Sequence, residues 1–196
     1  ELASLTVSNL GSGVLGADFS VSSLNAGAYS ITVEYVANAY FTGTTSSAQT
    51  LTVNKYSPSI TVNTITAVQV GNDLTISSTL QCGGGACSGV RDHAGGSVSF
   101  YKDSVSATNL LATDTSISAG GTASITVSTG DALLLPAAGT AYSIVAAFNG
   151  DATNGNLNAV TSAAATVTLT KRTPTVNVPN QSQPIGTTIT LSATVT

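Results

Sequence analysis

Apolar and polar residues alternate along most of this chain, as in the segment Leu74-Thr75-Ile76-Ser77-Ser78-Thr79-Leu80. Such alternation is typical of a β-strand that buries one of its two faces. No segment has the hydrophobic period of a long amphipathic helix. Between residues 56 and 170 the pattern predicts about seven strands. Their expected bounds are 59–63, 73–81, 96–102, 110–117, 122–128, 140–148 and 162–170.

Short turn motifs separate these strands: Gly-Asn-Asp at 71–73, Gly-Gly at 120–121 and Asn-Gly-Asp at 149–151. Gly, Asn and Asp favour turns because they accept backbone conformations that other residues avoid. Between the turns, alternate residues of each strand are expected to point inward. The predicted core therefore includes Ile60, Val62, Leu74, Ile76, Val98, Phe100, Ile125, Val127, Ile144 and Val167.

The chain also repeats itself. The segment Lys55-Tyr56-Ser57-Pro58-Ser59-Ile60-Thr61-Val62 is similar to Lys171-Arg172-Thr173-Pro174-Thr175-Val176-Asn177-Val178, and 174 − 58 gives a period of 116 residues. A second pair, Ala28–Tyr35 and Ala141–Phe148, recurs with an offset of 113 residues, which differs from 116 by changes in loop length. Self-similarity at a fixed period predicts structural units in tandem.

These repeats divide the chain into one complete domain and two partial ones. Residues 56–170 are expected to form the complete domain. Residues 1–54 are expected to be the C-terminal part of a domain, because Leu2-Ala3-Ser4 matches Leu111-Ala112-Thr113. Residues 173–196 are expected to be the N-terminal part of a further domain, because Ile189-Thr190-Leu191-Ser192 matches Leu74-Thr75-Ile76-Ser77.

Two short linkers, around residues 55–57 and 171–173, join the predicted domains. Each linker ends at a proline, Pro58 or Pro174, which fixes its own φ and restricts the residue before it. Neighbouring domains are therefore expected to hold a semi-rigid angle. Lys55 and Lys171 recur at these boundaries; a Lys–Asn isopeptide is one interpretation, and a solvated linker residue is the favoured one.

Composition narrows the class of protein. Only 7% of the residues are charged and 42% are hydrophobic, which excludes a disordered chain. The net charge of −4, with five Lys and Arg residues, provides no basic surface for nucleic acid or anionic lipid. No apolar run is long enough for a membrane helix. Low lysine content and a close cysteine pair favour an extracytoplasmic setting, where a disulfide persists.

Seven short strands in little more than 100 residues are the number expected of an immunoglobulin-like sandwich. The motifs Pro-x-Ile/Val-x-Val, Leu/Ile-Thr-Ile/Leu-Ser, Gly-Ser-Val-Ser-Phe-Tyr, Leu-Leu-Ala-Thr, Ala-Tyr-Ser-Ile, Phe-Asn-Gly-Asp and Ala-Ala-Thr-Val-Thr-Leu follow one another in this order. Together they resemble the bacterial Ig-like repeat domains over essentially the whole chain. This resemblance implies an all-β protein of immunoglobulin-like β-sandwich modules in tandem. It also implies a place in surface proteins, adhesins or extracellular fibres. The shared motifs are structural, so no catalytic or ligand residue is carried over from them.

Cys82 and Cys87 enclose four residues, three of them glycine, and are predicted to form a disulfide. The alternative is a metal site that includes Asp92 and His93, but a Cys-x₄-Cys spacing is marginal for zinc and no second pair completes a tetrahedron. His93, the sole histidine, is expected to be a solvated loop residue. Neither a Gly-x-Ser-x-Gly nor a His-Glu-x-x-His motif occurs, so the sequence predicts no enzyme.

Three weaker candidates remain. The segment 149–156 is rich in oxygen ligands and could hold calcium, but it lacks EF-hand spacing and the matching residues 36–39 contain no acid, so a polar turn is favoured. Asn180-Gln181-Ser182 fits the N-glycosylation pattern. Four aromatic residues could form a sugar-stacking platform, although capping of sheet faces is the favoured interpretation: Tyr35, Tyr40, Phe41 and Tyr101.

The expected function is architectural, as a tandem Ig-like module of an extracellular or cell-surface stalk or filament. Its expected partners are neighbouring Ig-like modules or subunits of the same protein in a head-to-tail array, with no nucleic acid. The alternative is a ligand- or carbohydrate-binding adhesin module with a host or surface ligand. Neither function requires a cofactor or a metal.

Overall fold

The computed structural model describes residues 5–6, 8–11, 14–129 and 141–196, with the backbone alone at 8–11 and 14–15. The segment Leu2-Ala3-Ser4 and residue 140, on which predictions were made, lie outside the described residues.

Single 3-10 turns occur at Gly89–Arg91 and Ala107–Asn109. The strands are β1 (Ser8–Gly11), β2 (Val14–Gly16), β3 (Gly27–Ile31), β4 (Glu34–Tyr35), β5 (Thr44–Thr45), β6 (Gln49–Val53), β7 (Ser59–Val62), β8 (Val68–Gln69), β9 (Asp73–Gln81), β10 (Val98–Lys102), β11 (Leu110–Asp114), β12 (Thr122–Ser128), β13 (Ala141–Phe148), β14 (Val160–Thr161), β15 (Ala165–Thr170), β16 (Val176–Asn177) and β17 (Thr194–Val195).

The described part of the chain contains no α-helix, which confirms the all-β prediction. β9 and β12 have the predicted bounds, and the other predicted strands of the central region differ from the observed ones by a few residues at their ends. The strand expected at 162–170 begins three residues later, at Ala165, and the short strand β14 ends at Thr161, before the predicted range. β8 was not predicted, because two residues are too short to show an alternating pattern.

The central region, residues 56–170, forms two sheets. In the first sheet, β9 lies between β12 and β7, and both pairs are antiparallel. The strand order of the second sheet is β11-β10-β13-β15-β8, and β14 pairs with the end of β13. All of its pairs are antiparallel except β15 with β8, where Leu169 lies opposite Val68.

Residues of both sheets form one buried cluster. The ten residues predicted to form the core are all buried, so the inward phase of every strand they occupy is confirmed. The cluster also includes Leu80, Tyr142, Phe148, Leu157 and Leu169. The alternating pattern of β9 and β12 produces this result directly, because each strand has one face toward the cluster and one toward solvent.

Three strand pairs of the flanking regions have the same register as three pairs of the central region. Ala28 lies opposite Thr52 as Ala141 lies opposite Thr168, with offsets of 113 (141 − 28) and 116 (168 − 52) residues. The pair Tyr35–Thr44 matches Phe148–Val160 with the same two offsets. In the C-terminal region, Val176–Val195 matches Ile60–Leu80 with offsets of 116 and 115. In these three pairs the similar sequences are accompanied by the same strand pairing.

Candidate functional site

The N-terminal region meets the central region around the side chain of Asn156, which is 5% exposed. Its Oδ1 accepts a hydrogen bond from the backbone N–H of Ala26 (2.7 Å), and its Nδ2 donates to Asn25 Oδ1 (2.9 Å). The same Nδ2 donates to the carbonyl of Val90 (2.7 Å). The buried side-chain amide of Asn156 thus joins residues 25–26 to the loop between β13 and β14 and to the 3-10 turn at Gly89–Arg91. We call this set of contacts the junction.

Asp151 places Asn156 by organising the loop between β13 and β14. Its carboxylate accepts four backbone N–H groups, from Asn154 and Gly155 at Oδ1 and from Asn156 and Leu157 at Oδ2. A carboxylate has about four lone-pair sites, so these donors occupy its full capacity. The polar turn expected at 149–156 is therefore organised by the Asp151 carboxylate. Its oxygens bind backbone N–H groups of the same loop and do not face outward.

The linker packs against the same loop. Tyr56 donates its backbone N–H to the carbonyl of Asn156 (2.8 Å) and accepts from the N–H of Asn158 (2.9 Å). This forms an isolated parallel bridge between Tyr56 and Leu157. The guanidinium carbon of Arg91 lies 4.8 Å from the centre of the Tyr56 ring, within the range of a cation–π contact. Pro58, two residues later, is buried. The linker is thus held by the central region rather than by its proline alone.

The disulfide loop leads into the 3-10 turn that provides the remaining contacts of the junction. Cys82 and Cys87 are bonded, with a Cα–Cα distance of 4.9 Å. The backbone N–H of Cys82 donates to the carbonyl of Gly85 (2.8 Å), which closes the loop tightly. The 3-10 turn at Gly89–Arg91 follows at once and supplies both the Val90 carbonyl that binds Asn156 and the Arg91 side chain over Tyr56.

We expect the double substitution Cys82→Ser and Cys87→Ser to lower the free energy of unfolding by about 2 kcal/mol and to leave the fold intact. The closed loop is short, so it restricts the unfolded chain only modestly. Denaturant unfolding followed by circular dichroism measures the change. Loss of a cooperative transition would show instead that the disulfide is essential to the central region.

The prediction that His93 is solvated is wrong, because the residue is only 7% exposed. The chain folds back after the 3-10 turn, and the carbonyl of His93 accepts the N–H of Gly96 (2.9 Å), which holds the residue against the sheet. Its Nδ1 lies 3.9 Å from Asp92 Oδ1, and its Nε2 has no hydrogen-bond partner among the described residues. The two cysteines considered as metal ligands with them are joined as a disulfide, so neither supplies a thiolate.

The four aromatic residues considered as a sugar platform do not come together. Tyr35 and Phe41 make an edge contact with ring centres 6.5 Å apart, while Tyr101 lies on β10 of the central region. Tyr40 is 88% exposed and Phe41 is 61% exposed, so these two rings do not cap a sheet face as expected. Asn38 shapes their turn by accepting the N–H groups of both residues at Oδ1.

The remaining candidates lie at the surface. Lys55 and Lys171 are exposed, as solvated linker residues would be. The segment Asn180-Gln181-Ser182 is also exposed. Sequence reasoning did not identify Asn156 or Asn25, because an asparagine in a polar turn is not distinguished from its neighbours by type or spacing. In the alignment of the repeats Asn38 corresponds to Asp151, and each of these residues organises the turn in which it lies.

Comparison with known proteins gave no match, either to a protein-family model or to a curated protein. In the part of the chain that the structure describes, no helix has the length and apolar character needed to cross a bilayer.

Proposed function

We propose that this chain is a segment of a tandem array of immunoglobulin-like modules that forms an extracellular stalk or filament. The observation that carries the proposal is the repeated strand pairing, since three pairs in the flanking regions match three pairs of the central region in register. Tandem modules that contact only their neighbours produce an extended structure. The function is mechanical, and its partners are like modules in a head-to-tail array.

The pairing of the central region supports an immunoglobulin-like assignment. In such domains strands A, B and E share one sheet and strands C, F and G share the other. β7, β9 and β12 correspond to the first set, and β10, β13 and β15 to the second. Tyr142 is buried near the start of β13, where these domains carry a characteristic tyrosine of strand F.

The junction supports an array with a defined angle between modules. Asn156 binds residues 25–26 of the preceding region, and Tyr56 of the linker is bridged to Leu157. With the linker bound to the central region and residues 25–26 bound to Asn156, orientation is transmitted from one module to the next. The disulfide is in keeping with the proposed extracellular location, where such bonds persist.

The free edge of β12 supports end-to-end rather than edge-to-edge assembly. Asp114 Oδ2 accepts the N–H of Ser124 (2.7 Å), and Ser118 Oγ accepts the N–H of Thr122 (3.0 Å). These contacts occupy backbone donors that an added strand would need. Strand addition is therefore disfavoured at this edge, which is in keeping with growth through module ends.

The test is whether the N-terminal and central regions tumble as one body in solution. We expect ¹⁵N relaxation to give one rotational correlation time for residues 27–53 and 59–129. Asn156→Ala removes three hydrogen bonds of about 0.5–1.5 kcal/mol each, so the two regions should then tumble separately. Hydrogen exchange at the Ala26 amide should accelerate by roughly tenfold or more.

Asn149→Ala is the matched control, because Asn149 donates to Ser97 and Ser99 within the central region and does not contact residues 25–26. It should leave the common correlation time unchanged. Separate tumbling of the two regions in the unmodified chain would contradict a stiff array. Common tumbling in the Asn156→Ala variant would assign the stiffness to other contacts.

A further inference from the structure

The C-terminal region, residues 173–196, exposes an apolar face whose counterpart in the central region is buried. Val176 is 62% exposed and Leu191 is 76% exposed, whereas their matches Ile60 and Ile76 are 6% and 0% exposed. Three further apolar residues of this region are more than half exposed although their matches lie in the core: Val178, Ile189 and Val195. An exposed set of this kind marks an interaction surface, unlike a single exposed apolar residue.

The N-terminal strand pair also exposes residues whose matches are buried. Leu51 of β6 is 40% exposed and matches Val167, which is 1% exposed. Val33, between β3 and β4, is 67% exposed and matches Ala146, which is fully buried on β13. Within a single chain the two apolar faces do not cover each other, since both are exposed.

The central region shows which strands cover the matching residues. Its β7 contacts β13 and β14, and residues of β7, β9, β13 and β15 belong to one buried cluster. By register, β16 and β17 correspond to β7 and β9, while β3 and β6 correspond to β13 and β15. Each exposed face therefore belongs to the strands that would cover the other.

Charge does not oppose contact between the two faces. Residues 173–196 contain no charged side chain, and residues 27–53 contain one, Glu34. Apolar faces that carry no like charges associate through the hydrophobic effect, because contact removes both of them from water.

We propose that residues 173–196 of one copy of this chain pack on residues 27–53 of a second copy. β16 and β17 then face β3 and β6, as β7 and β9 face β13 and β15 in the central region. The interface rests on the proposed function and specifies how the array extends. It joins two different surfaces, so each copy keeps one face for a further copy and the assembly grows head to tail.

The experiment is sedimentation velocity of the full chain from about 5 to 500 μM, a range that suits a small interface. We expect the sedimentation coefficient to rise with concentration. Leu191→Asp and Val33→Asp should each weaken association about tenfold or more, because each places an unpaired charge in the contact. Both residues are exposed in the single chain, so neither change should alter its circular dichroism spectrum.

A mixture of the two variants distinguishes head-to-tail contact from contact between like faces. Leu191→Asp keeps an intact N-terminal face, and Val33→Asp keeps an intact C-terminal face. Each variant alone should therefore be largely monomeric, while an equimolar mixture should form dimers that do not extend. Hydrogen exchange in this mixture should slow at the Ile185 amide, because its match Val70 donates its N–H to the carbonyl of Thr170 (3.0 Å).

Val105→Asp is the control, because Val105 is 50% exposed on a central turn outside both faces, and association should be unchanged. Three outcomes would overturn the proposal: a chain that stays monomeric at about 500 μM; undiminished association of either Asp variant alone, which would assign the contact to like faces or to another surface; or a mixture that stays monomeric. A monomeric chain whose regions still tumble as one body would remove this interface and leave the stiff array standing. Separate tumbling with intact association would contradict the stiff array alone.

Discussion

Replacing Phe100 with alanine is expected to lower the free energy of unfolding by about 3–5 kcal/mol. The ring is fully buried in the cluster that both sheets share, and it lies on β10 between β11 and β13. Its removal takes apolar area out of the core and leaves a cavity, because neighbouring strands can close only part of the space. A domain of this size has about 5–15 kcal/mol of stability in total, so the loss is severe.

Phe41→Ala is the matched control, since the same ring is removed from a position that is 61% exposed. Its effect should stay within about 0.5 kcal/mol. Denaturant unfolding of both variants, followed by tyrosine fluorescence and circular dichroism, compares them under one set of conditions. Equal midpoints for Phe100→Ala and the unmodified chain would mean that β10 does not present Phe100 to the core.

The sequence predicts the core well because alternation is a strong local signal. In β9 and β12 the residues of the buried face are apolar except Ser78, and this period decides which face is buried. The same pattern does not determine exposure in the flanking regions. Val176 is 62% exposed although it matches Ile60, which is 6% exposed. Burial depends on what covers a face, and a local pattern contains no information about that.

The junction could not be predicted from spacing. Asn156 and Asn25 are 131 residues apart in the chain, and their contact depends on how two loops and a linker fold together. His93 shows the same limit, because its burial depends on how the chain folds back between the 3-10 turn and Gly96, whose N–H binds the His93 carbonyl. The disulfide was predictable because both partners lie in one short loop, where proximity follows from the covalent chain.

The loop around Asp151 contributes to the stability of the central region and also holds Asn156 in place at the junction. A carboxylate can accept all four N–H groups that converge on it, whereas an amide offers one oxygen and places two N–H donors in the remaining positions. At the matching place in the N-terminal region, Asn38 accepts two N–H groups and donates its own to the Tyr35 hydroxyl. The two turns thus differ because one organiser only accepts and the other both accepts and donates.

Asp151→Asn is therefore expected to lower the free energy of unfolding by about 2–4 kcal/mol, although it barely changes the size of the side chain. Up to two backbone N–H groups among those of residues 154–157 would lose their acceptor, and the amide hydrogens would face donors. Denaturant unfolding gives the loss of stability, and hydrogen exchange at residues 154–157 shows where it arises. Because Asn156 would no longer be held in place, protection of the Ala26 amide should fall as well.

Asp92→Asn is the control for the lost charge, because the Asp92 side chain is about half exposed and accepts no backbone N–H in the described structure. It should change the free energy of unfolding by less than about 0.5 kcal/mol. If Asp151→Asn is as stable as Asp92→Asn, the hydrogen bonds that the substitution removes contribute nothing net to the stability. If the loop amides lose protection while the Ala26 amide keeps it, the junction does not depend on the position of Asn156, and the stiffness proposed for the array must come from the contacts of Tyr56 with Leu157 and Arg91.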